Sequence, residues 1–458
     1  MYRIRYDGLT SIRCDLEELI KVFLPGEEFT FVQGADLEKP DLDLSLEEKD
    51  KNQLKRWIYQ DLSQRTGYTP AWGILTGVRP VKIVQALAER GLGQDEIRRI
   101  MKDTYLIQED KLTLLLDTLA VQQTALARAD TKNPNAVALY VGIPFCPTRC
   151  HYCSFPSNTA NPAHIRAYLD ALMQEIKAVS GLMKKTGYTV ESLYVGGGTP
   201  THLEPSELEE LLGTLRQELD LDKLLEFTVE AGRPDTITEE KLRCIRRAGA
   251  DRISINPQTM NPDTLRRIGR SHTPEQIRDA FQMARSFQFP VINADLIAGL
   301  PLETVKDFEH TLSQLLAYGP ENITVHTLAT KRASLWKVQG EDPALYRSAQ
   351  NPVSAMVDLA RTTLQDIGYG PYYLYRQKQM TGNLENVGYA LPGTENLYNI
   401  RIMEERQTIV ACGAGGISKL YVPEEDRLER IANVSNYQIY VDRIEEMIER
   451  KQNGLFRR

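Results

Sequence analysis

Short apolar segments alternate with helical patterns along the middle of the chain. Between residues 136 and 330 the apolar segments are ALYVGI, SLYVGG, FTVEA, RISIN, INADLI and ITVHTL. The amphipathic stretches between them predict helices over 164–182, 205–219 and 239–248. Strands that alternate with crossover helices are typical of a parallel sheet. The pattern therefore predicts an α/β fold built on a (β/α) barrel, partial or complete, with six strand and helix units.

The first 130 residues have a different pattern and are expected to form an α+β module. Ser45 and Glu48 have the spacing of a capping box, which predicts a helix from there to about Gly67. Pro80 is expected to open another helix at its first position. The predicted elements are strands around 3–6 and 28–33 and helices over 45–67, from 80 onwards and over 112–126. The acidic run 36–50 is expected to be a solvated linker or face.

The last part of the chain is expected to form a small C-terminal domain. It combines an aromatic and basic stretch, PYYLYRQKQ, with a glycine-rich stretch, ACGAGGIS, and a charged helical pattern after Ser435. The predicted domains are therefore the N-terminal module at 1–130, the barrel at 131–365 and the C-terminal domain at 366–458.

The composition limits the class of protein. The 458 residues are 42% hydrophobic and carry a net charge of −7, which excludes wholesale disorder and argues against a nucleic-acid binder that relies on its overall charge. No stretch approaches the roughly 18 consecutive apolar residues of a membrane span, and MYRIRYDGLT lacks the apolar core of an export signal. We therefore expect a cytoplasmic protein, in which clustered cysteines indicate a metal site rather than a disulfide.

Three of the six cysteines form a CxxxCxxC motif directly after the first barrel strand. They are Cys146, Cys150 and Cys153 in CPTRCHYC. Three thiolates suit a 4Fe-4S cluster with one iron open to another ligand. Two alternatives remain open, a partial zinc site with His151 as a further ligand and reduced structural cysteines. The remaining cysteines are expected to be small packed side chains; they are Cys14, Cys244 and Cys412.

Glycines and polar residues follow the other predicted strands, at the ends where barrel enzymes place their working residues. GGGTPT, at 196–201, ends the second strand, and its glycines let the backbone approach a ligand closely. The later strands end at polar side chains, which are Glu230, Asn256, Gln258, Asp295, His326 and Thr327. We expect all of these residues to face one site.

The cysteine motif and the glycine run, on consecutive strands, resemble the radical S-adenosylmethionine (SAM) superfamily. The resemblance implies a 4Fe-4S cluster on Cys146, Cys150 and Cys153, whose open iron is chelated by the amino and carboxylate groups of SAM. It also implies that the glycine segment holds the methionyl group and that Tyr152 packs on the adenine. Ordinary loop packing is the alternative for Tyr152.

The sequence is similar to one branch of that superfamily in particular, the oxygen-independent coproporphyrinogen III oxidases of the HemN type and their HemZ-like relatives. The matching pieces, in order, are YVGIPFC, GGGTPT, VEAGRPD, SINPQTMN, IGRSH and ADLIAGLP. The SAM contacts that the resemblance implies are Tyr140, Gly197, Gly198, Thr199, Glu230, Gln258, Arg270 and Asp295, with Thr327 and Ile417 closing the pocket. Taken singly, Glu230 or Asp295 is also explained as a helix cap, and Arg270 as a surface ion pair.

Two departures distinguish this chain within the branch. Oxidases of the HemN type carry a further cysteine two positions after the third ligand, whereas this chain has Phe155, as heme chaperones of the branch do. The HNxxYW-like string of those chaperones is replaced here by NLYNIR at 396–401. Residues 373–390 and the N-terminal string WGILTGVRPVKI resemble the HemZ-type coproporphyrinogen dehydrogenases. For this reason the leading interpretation is a protein of the HemZ type.

The resemblance implies a radical SAM oxidoreductase of porphyrin and heme biosynthesis that converts coproporphyrinogen III to protoporphyrinogen IX. It implies two SAM molecules per substrate, an electron donor of the flavodoxin or ferredoxin type, and an electron acceptor. The substrate's four carboxylates require basic groups at the barrel mouth. The candidates are Lys331, Arg332, Arg376, Lys378 and Arg401, with Tyr372, Tyr373 and Tyr375 flanking the macrocycle. For this set, a solvated basic face with core tyrosines is the alternative. For the whole protein, the alternatives are methylation or ring opening of a tetrapyrrole, and a heme-binding chaperone.

Overall fold

The computed structural model describes residues 2–5, 10–24, 27–32, 41–44, 50–155, 157–329, 352–377 and 383–457. The first elements are β1 (Tyr2–Arg5), α1 (Thr10–Phe23), β2 (Phe29–Val32), β3 (Leu42–Asp43), α2 (Lys51–Thr66), α3 (Val81–Glu89), α4 (Gln94–Tyr105) and α5 (Glu109–Leu126). The three strands form a parallel sheet in the order β2-β1-β3. Both predicted strands are confirmed as β1 and β2. Pro80 directly precedes α3, and the helix predicted over 112–126 lies within α5.

Helix α2 begins later than the sequence predicts. Its N-cap is Asp50, whose carboxylate accepts the Asn52 N–H at 3.3 Å, so the predicted start near Ser45 is wrong. An aspartate at this position satisfies an otherwise unpaired amide of the first turn. The predicted capping box and most of the acidic run lie outside the described residues. The end is as predicted, because Gly67 adopts the left-handed conformation of a C-cap, with φ of 67°.

The six predicted barrel strands and the three predicted helices between them are confirmed. The elements are β4 (Ala136–Ile143), α6 (Pro162–Thr186), β5 (Thr189–Gly197), α7 (Pro205–Glu218), β6 (Glu226–Gly232), α8 (Glu239–Arg247), β7 (Arg252–Gln258), α9 (Pro262–Arg267), α10 (Pro274–Ser286), β8 (Val291–Ala298), α11 (Val305–Ala317) and β9 (Asn322–Thr327). Strands β4 to β9 pair in sequence order and are all parallel. Parallel order places their carboxyl ends along the same edge.

The C-terminal part extends the same sheet at both of its edges. Its elements are α12 (Pro352–Asp366), β10 (Gly370–Tyr375), β11 (Asn386–Ala390), α13 (Leu397–Glu404), β12 (Ile409–Cys412), β13 (Ile417–Val422), β14 (Arg427–Ala432), α14 (Tyr437–Asp442) and α15 (Ile444–Gly454). In the described part of the chain the strand order is β10-β11-β9-β8-β7-β6-β5-β4-β12-β13-β14. β12 is parallel to β4, whereas β11 is antiparallel to β9. The architecture is thus a partial (β/α)6 barrel with C-terminal strands added on either side.

The two largest hydrophobic clusters of the described residues form the main cores. The larger one fills the space between the barrel strands and their helices, and it includes Trp72, Val84 and Leu112 from the N-terminal region. The smaller one lies between β1, α1 and α2, around Leu16 and Ile58. Most core residues from Trp72 onwards therefore pack with the barrel, whereas Ile74 belongs to the smaller core. Among the described helices, none combines the length and the apolar character needed to cross a membrane.

Helix α13 closes the barrel at the amino ends of the strands. The Glu226 carboxylate accepts the backbone N–H groups of Leu397 and Tyr398, at 2.8 and 3.2 Å. Arg401 forms a bidentate pair with Glu191, with both N–O distances at 2.9 Å. All of these side chains are buried. The carboxyl ends of the strands are the opposite end of the barrel, where the candidate site lies.

Candidate cofactor site at the carboxyl ends of the strands

The loop that follows β4 presents the three clustered cysteines. Cys146 donates its backbone N–H to Asn158 O at 3.0 Å, and Cys153 donates to Cys150 O at 3.1 Å. Cys146 and Cys150 are buried, and Cys153 is half-buried. Burial raises the pKa of the Cys146 thiol to about 11, so a cationic iron bound to the sulfur is the kind of partner that would favour the thiolate. The backbone hydrogen bond between Cys146 and Asn158 joins the two ends of the loop.

Arg233 fixes the same loop from the end of β6, and sequence reasoning did not single it out. This arginine is almost fully buried. It donates to Thr148 Oγ1 at 2.6 Å and to the Thr148 carbonyl at 3.2 Å, and it pairs with Asp235 at 2.7 Å. It also donates to Ser271 Oγ at 2.6 Å. Its position directly after the glycine that ends β6 was the signal that it belonged to the site.

The glycine run at the end of β5 lies directly against the cysteine loop. Gly198 donates its N–H to Ile143 O at 2.7 Å, and Thr199 donates to Phe145 O at 2.8 Å. A Cβ at Gly198 would lie 2.6 Å from Phe145 O and 3.0 Å from Cys146 Sγ. The Thr199 hydroxyl lies 3.3 Å from the same sulfur. The absence of side chains at this point creates a backbone cradle beside the thiols, as the sequence predicts.

Glu230 lies inside the barrel next to this cradle. Its carboxylate accepts the Gly197 N–H at 3.1 Å and the Tyr194 hydroxyl proton at 2.5 Å. Burial raises the pKa of Glu230 to about 7, the Asp295 carboxylate adds to this, and the two hydrogen bonds oppose it. Because its partners are a strand end and a tyrosine, Glu230 is not a helix cap. With a pKa near neutral, this carboxyl group would lose its proton when a positively charged ligand binds beside it.

Arg270 is a buried clamp and not a surface ion pair. Its guanidinium donates to the Tyr152 hydroxyl at 2.9 Å and to Asn256 O at 2.6 Å. This links the cysteine loop to the end of β7. Gln258, at that same strand end, has φ of 71°, and its buried Oε1 has no hydrogen-bond partner. An unsatisfied buried acceptor at a strand end is suited to a ligand that supplies a donor.

Asp295 lies in the middle of β8, among polar side chains. Its carboxylate accepts from Asn293 Nδ2 at 2.7 Å, and its other oxygen lies 3.6 Å from His326 Nε2. The Tyr375 hydroxyl lies 3.3 Å from His326 Nδ1. Asp295 therefore faces the barrel interior, and its contacts are not those of a helix cap.

The two residues expected to close the pocket have other contacts. Thr327 is buried, and its hydroxyl donates to the Glu385 carbonyl at 2.8 Å. Ile417 is 46% exposed at the start of β13. The glycine loop before Ile417 does reach the site, because a Cβ at Gly413 would lie 2.6 Å from the Gly142 carbonyl at the end of β4. Inside the barrel Tyr194 and Tyr398 stack on each other with ring centroids 4.6 Å apart, and Tyr140 lies about equally far from both, at 6.2 and 6.3 Å.

Two of the basic residues proposed for the barrel mouth are structural, and that prediction is wrong for them. Arg376 is buried and donates to Leu75 O and Asn383 O, at 2.5 and 2.9 Å. Arg401 is paired with Glu191 at the opposite end of the barrel. Tyr372 and Tyr373 are buried, as in the core alternative. The other candidates lie outside the described residues; they are Lys331, Arg332 and Lys378.

The residues present fit a cluster and SAM. The donor set consists of three thiols on one loop, beside a glycine cradle and an unsatisfied Gln258 carbonyl oxygen. His151 does not point as a zinc ligand would, because its Nδ1 lies 3.0 Å from Arg267 O and its ring packs against Gly269. Among the described side chains, no three from His, Cys, Asp or Glu converge closely enough to share a single metal ion. Thiols held apart suit a centre in which each thiolate binds its own iron.

The chain is similar to several known proteins. The model of the radical SAM superfamily matches residues 140–315. The oxygen-independent coproporphyrinogen-III oxidase-like protein HemZ of Bacillus subtilis is 40% identical over 86% of this chain and 79% of its own length. The heme chaperone HemW of Bacillus subtilis is 29% identical over 67% of this chain and 76% of its own length. The solved structure of coproporphyrinogen III oxidase (HemN) from Escherichia coli has the same fold, with a TM-score of 0.56, 24% identity, and coverage of 72% of this chain and 73% of that chain.

Proposed function

Since this chain belongs to the HemZ group of oxygen-independent coproporphyrinogen-III oxidase-like proteins within the radical SAM superfamily, we propose that it converts coproporphyrinogen III to protoporphyrinogen IX. The observation that carries the proposal is the 40% identity to HemZ over most of both chains. The cysteine loop, the glycine cradle and the carboxylates inside the barrel also support it. The reaction belongs to porphyrin and heme biosynthesis.

Three cysteines and a ring of polar groups hold the cofactors in this proposal. Cys146, Cys150 and Cys153 bind a 4Fe-4S cluster, and the backbone of Gly197 and Gly198 holds the methionyl part of SAM. The further SAM contacts are Tyr140, Tyr152, Thr199, Glu230, Gln258, Arg270, Asp295, Thr327 and Ile417. The chemistry that these groups supply when bound is hydrogen-atom abstraction by a 5′-deoxyadenosyl radical.

The protein's own residues orient the cofactors and exclude water. Glu230 offers an ionised carboxylate to an N–H of the SAM amino group, where a hydrogen bond to a charged acceptor contributes about 1.5–3 kcal/mol. Arg270 fixes the Tyr152 ring through its hydroxyl, so that the ring is held in one orientation for the adenine. Helix α13 closes the far end of the barrel, which limits water access from that side.

The overall reaction fixes which partners are needed. Each of two propionate side chains loses one hydrogen atom, one molecule of carbon dioxide and one electron, and becomes a vinyl group. Two SAM molecules are consumed for each substrate. An electron donor of the flavodoxin or ferredoxin type reduces the protein before each cleavage, and an acceptor takes the electron that remains on the substrate.

A second candidate is a heme chaperone, because HemW of Bacillus subtilis is 29% identical over two thirds of this chain. The segment that replaces the chaperone string argues against it. NLYNIR, at 396–401, forms the start of α13, and its Leu397, Ile400 and Arg401 are buried. A segment enclosed by the barrel in this way does not present a heme ligand at the surface.

Anaerobic reconstitution separates the candidates. The chain is loaded with iron and sulfide, reduced, and given SAM and coproporphyrinogen III. We expect the formation of 5′-deoxyadenosine and of a product whose mass is lower than that of coproporphyrinogen III by two molecules of formic acid. Mass spectrometry measures both. Deoxyadenosine with an unchanged substrate mass would reject the substrate and favour another tetrapyrrole reaction. Heme bound in stoichiometric amount, without deoxyadenosine, would favour the chaperone. A Cys150→Ala chain is the matched control for cluster-dependent chemistry.

A further inference from the structure

Four basic side chains surround one carboxylate at the amino ends of the barrel strands. Arg79 Nη1 lies 2.7 Å from Glu405 Oε1, and nitrogens of Lys82 and Arg430 each lie 3.4 Å from the same carboxylate. Lys419 is the fourth member, because the charges of the other three all act on its ammonium group. Among the described residues, no carboxylate other than Glu405 lies within ion-pair distance of these four side chains. We call the five residues the basic junction, and they carry an excess of three positive charges.

Lys419 is the buried member of the basic junction. It is 9% exposed, and none of the described residues accepts a hydrogen bond from its Nζ. Burial lowers the pKa of Lys419 to about 8, and the neighbouring cations add to this shift, whereas Glu405 opposes it. A buried ammonium group without an acceptor is costly. A ligand that supplies the acceptor would remove this cost.

Lys419 and Arg430 lie directly opposite each other on β13 and β14. Side chains of directly opposed residues share one face of an antiparallel pair, and like charges in this arrangement are destabilising. The other face of β14 is neutralised, because Arg427 pairs with Glu425 at 2.7 Å and with Glu429 at 3.1 Å. The repulsive pair therefore lies on the face that is turned towards the rest of the basic junction.

The basic junction joins two distant parts of the chain. Arg79 and Lys82 belong to the N-terminal string WGILTGVRPVKI, at the start of α3, and Glu405 is the C-cap of α13. Lys419 is paired across the sheet with Ile409, which begins β12. Because β12 is parallel to the barrel strand β4, the junction lies at the opposite end of the barrel from the cysteine loop.

The basic junction also offers donors and access to a ligand. Arg79 Nε is buried and has no hydrogen-bond partner among the described residues. The side chain of Arg430 is 58% exposed, so the junction is open to solvent on that side. Glu405 holds Arg79 and Lys82 in place, so that their positive ends are already oriented before a ligand binds.

We propose that the basic junction binds a phosphate group, either as free phosphate or as the phosphate ester of a small molecule such as a nucleotide. An excess of three positive charges matches a doubly charged anion better than a single carboxylate. Arginine and lysine side chains are the groups that bind phosphate oxygens in proteins. An occupied junction offsets the repulsion between Lys419 and Arg430 and holds α3 against the hairpin β13–β14. The inference does not depend on the proposed reaction, since the cofactor site lies at the other end of the barrel.

The first test measures binding by isothermal titration calorimetry. Anaerobically reconstituted full-length protein is titrated with inorganic phosphate, AMP or succinate, at an ionic strength held constant with chloride. Lys419→Met and Arg430→Gln should each weaken phosphate binding about tenfold or more, because each removes a charged donor. Arg427→Gln is the matched control, since Arg427 lies on the same strand but on its other face, and it should change the affinity less than about twofold.

The three ligands identify the chemistry. Tighter binding of AMP than of free phosphate would support the proposal with a phosphate ester as the ligand, and the reverse order would support it with free phosphate. Succinate bound as tightly as both would overturn the assignment of a phosphate group. Unchanged phosphate affinity in both junction variants, or no binding to the wild type, would overturn the site.

Thermal unfolding gives the second readout. Saturating phosphate should raise the unfolding midpoint of the wild type and of Arg427→Gln, and it should leave that of Lys419→Met unchanged. In chloride alone, Lys419→Met should unfold at a higher temperature than the wild type, because the variant removes a buried charge that has no acceptor and lies opposite Arg430. A lysine that only supports the fold predicts the opposite sign. A lower midpoint for Lys419→Met in chloride, with the same phosphate-dependent rise as the wild type, would therefore overturn the proposal.

Discussion

Trp72 and Glu385, 313 residues apart in the chain, are joined by a hydrogen bond of 2.7 Å from the indole N–H to the carboxylate. Lys111 donates to the same carboxylate at 2.8 Å. The backbone carbonyl of Glu385 in turn accepts the Thr327 hydroxyl at 2.8 Å. The N-terminal segment is therefore tied to the hairpin β10–β11 at the point where that hairpin meets the end of β9.

Replacing Trp72 with Phe tests this connection. Phe keeps an aromatic ring in the core and removes the donor, so we expect the free energy of unfolding to fall by about 1.5–3 kcal/mol, the range for a hydrogen bond to a charged group. Urea unfolding followed by circular dichroism measures the loss. Trp57→Phe, in a half-buried indole of the same module, is the matched control and should cost less. Equal losses in the two variants would contradict a specific role for the Trp72 bond.

Gly198 and Gly213 should respond in opposite directions to the same change. In Gly198→Ala the added carbon meets Phe145 O at 2.6 Å and Cys146 Sγ at 3.0 Å, so the cysteine loop must move. We expect the iron content after reconstitution to fall well below the wild-type value of about four per chain. At Gly213, within α7, a Cβ would have no heavy atom within 4 Å. Gly213→Ala should keep all the iron and stabilise the protein by about 0.4–1 kcal/mol. Normal iron in Gly198→Ala would contradict the cradle.

The sequence predicted the parts of the fold that depend on local patterns. Six short apolar segments with helical stretches between them specify parallel strands, and this pattern does not depend on which distant residues pack against the strands. The motif residues were placed together for a related reason, because carboxyl ends of adjacent parallel strands meet at one edge. Glu230 and Arg270 thus lie beside the glycine cradle and the cysteine loop, with contacts that remove their structural alternatives.

The sequence did not predict contacts between distant segments. Arg376 stands in a basic run beside tyrosines and was expected at the barrel mouth, yet it is buried. Its guanidinium donates to the Leu75 carbonyl, and its backbone N–H donates to the Val78 carbonyl. Arg401 similarly forms a buried ion pair with Glu191, which is 210 residues away in the chain. The sequence does not distinguish an arginine on the surface from one in a buried ion pair, because no periodic pattern shows which carbonyl or carboxylate the guanidinium will contact.

Substitutions at Cys150 and Cys412 distinguish a cluster ligand from a cysteine that only packs in the core. Cys412 is fully buried on β12, and burial raises its pKa well above the usual range. We expect Cys150→Ala to abolish the iron–sulfur absorption and the bound iron, because a loop with two thiols cannot hold the cluster. Cys412→Ala should keep both. Iron and labile sulfide are measured after anaerobic reconstitution. A full cluster in Cys150→Ala would contradict the assignment, and loss of iron in Cys412→Ala would indicate an additional ligand.

Glu230 should make SAM binding depend on pH. Its pKa is raised to about 7, chiefly by burial, so near pH 6 most of the free protein carries a neutral carboxyl group at this position. The ionised carboxylate accepts a stronger hydrogen bond from the SAM amino group than the neutral carboxyl group does, so binding at neutral pH releases a proton from Glu230. The affinity should therefore rise about tenfold between about pH 6 and pH 8, and then level off.

The matched variants show whether this slope belongs to Glu230. Glu230→Gln keeps the size of the side chain and cannot ionise, so its SAM affinity should be nearly constant over the same pH range and about tenfold or more below the wild type at pH 8. Glu209→Gln, at an exposed position on α7, should retain the wild-type slope. Equilibrium dialysis with reconstituted protein measures all three. A slope that persists in Glu230→Gln would assign the proton to another group, and the Asp295 carboxylate beside it would be the next to replace.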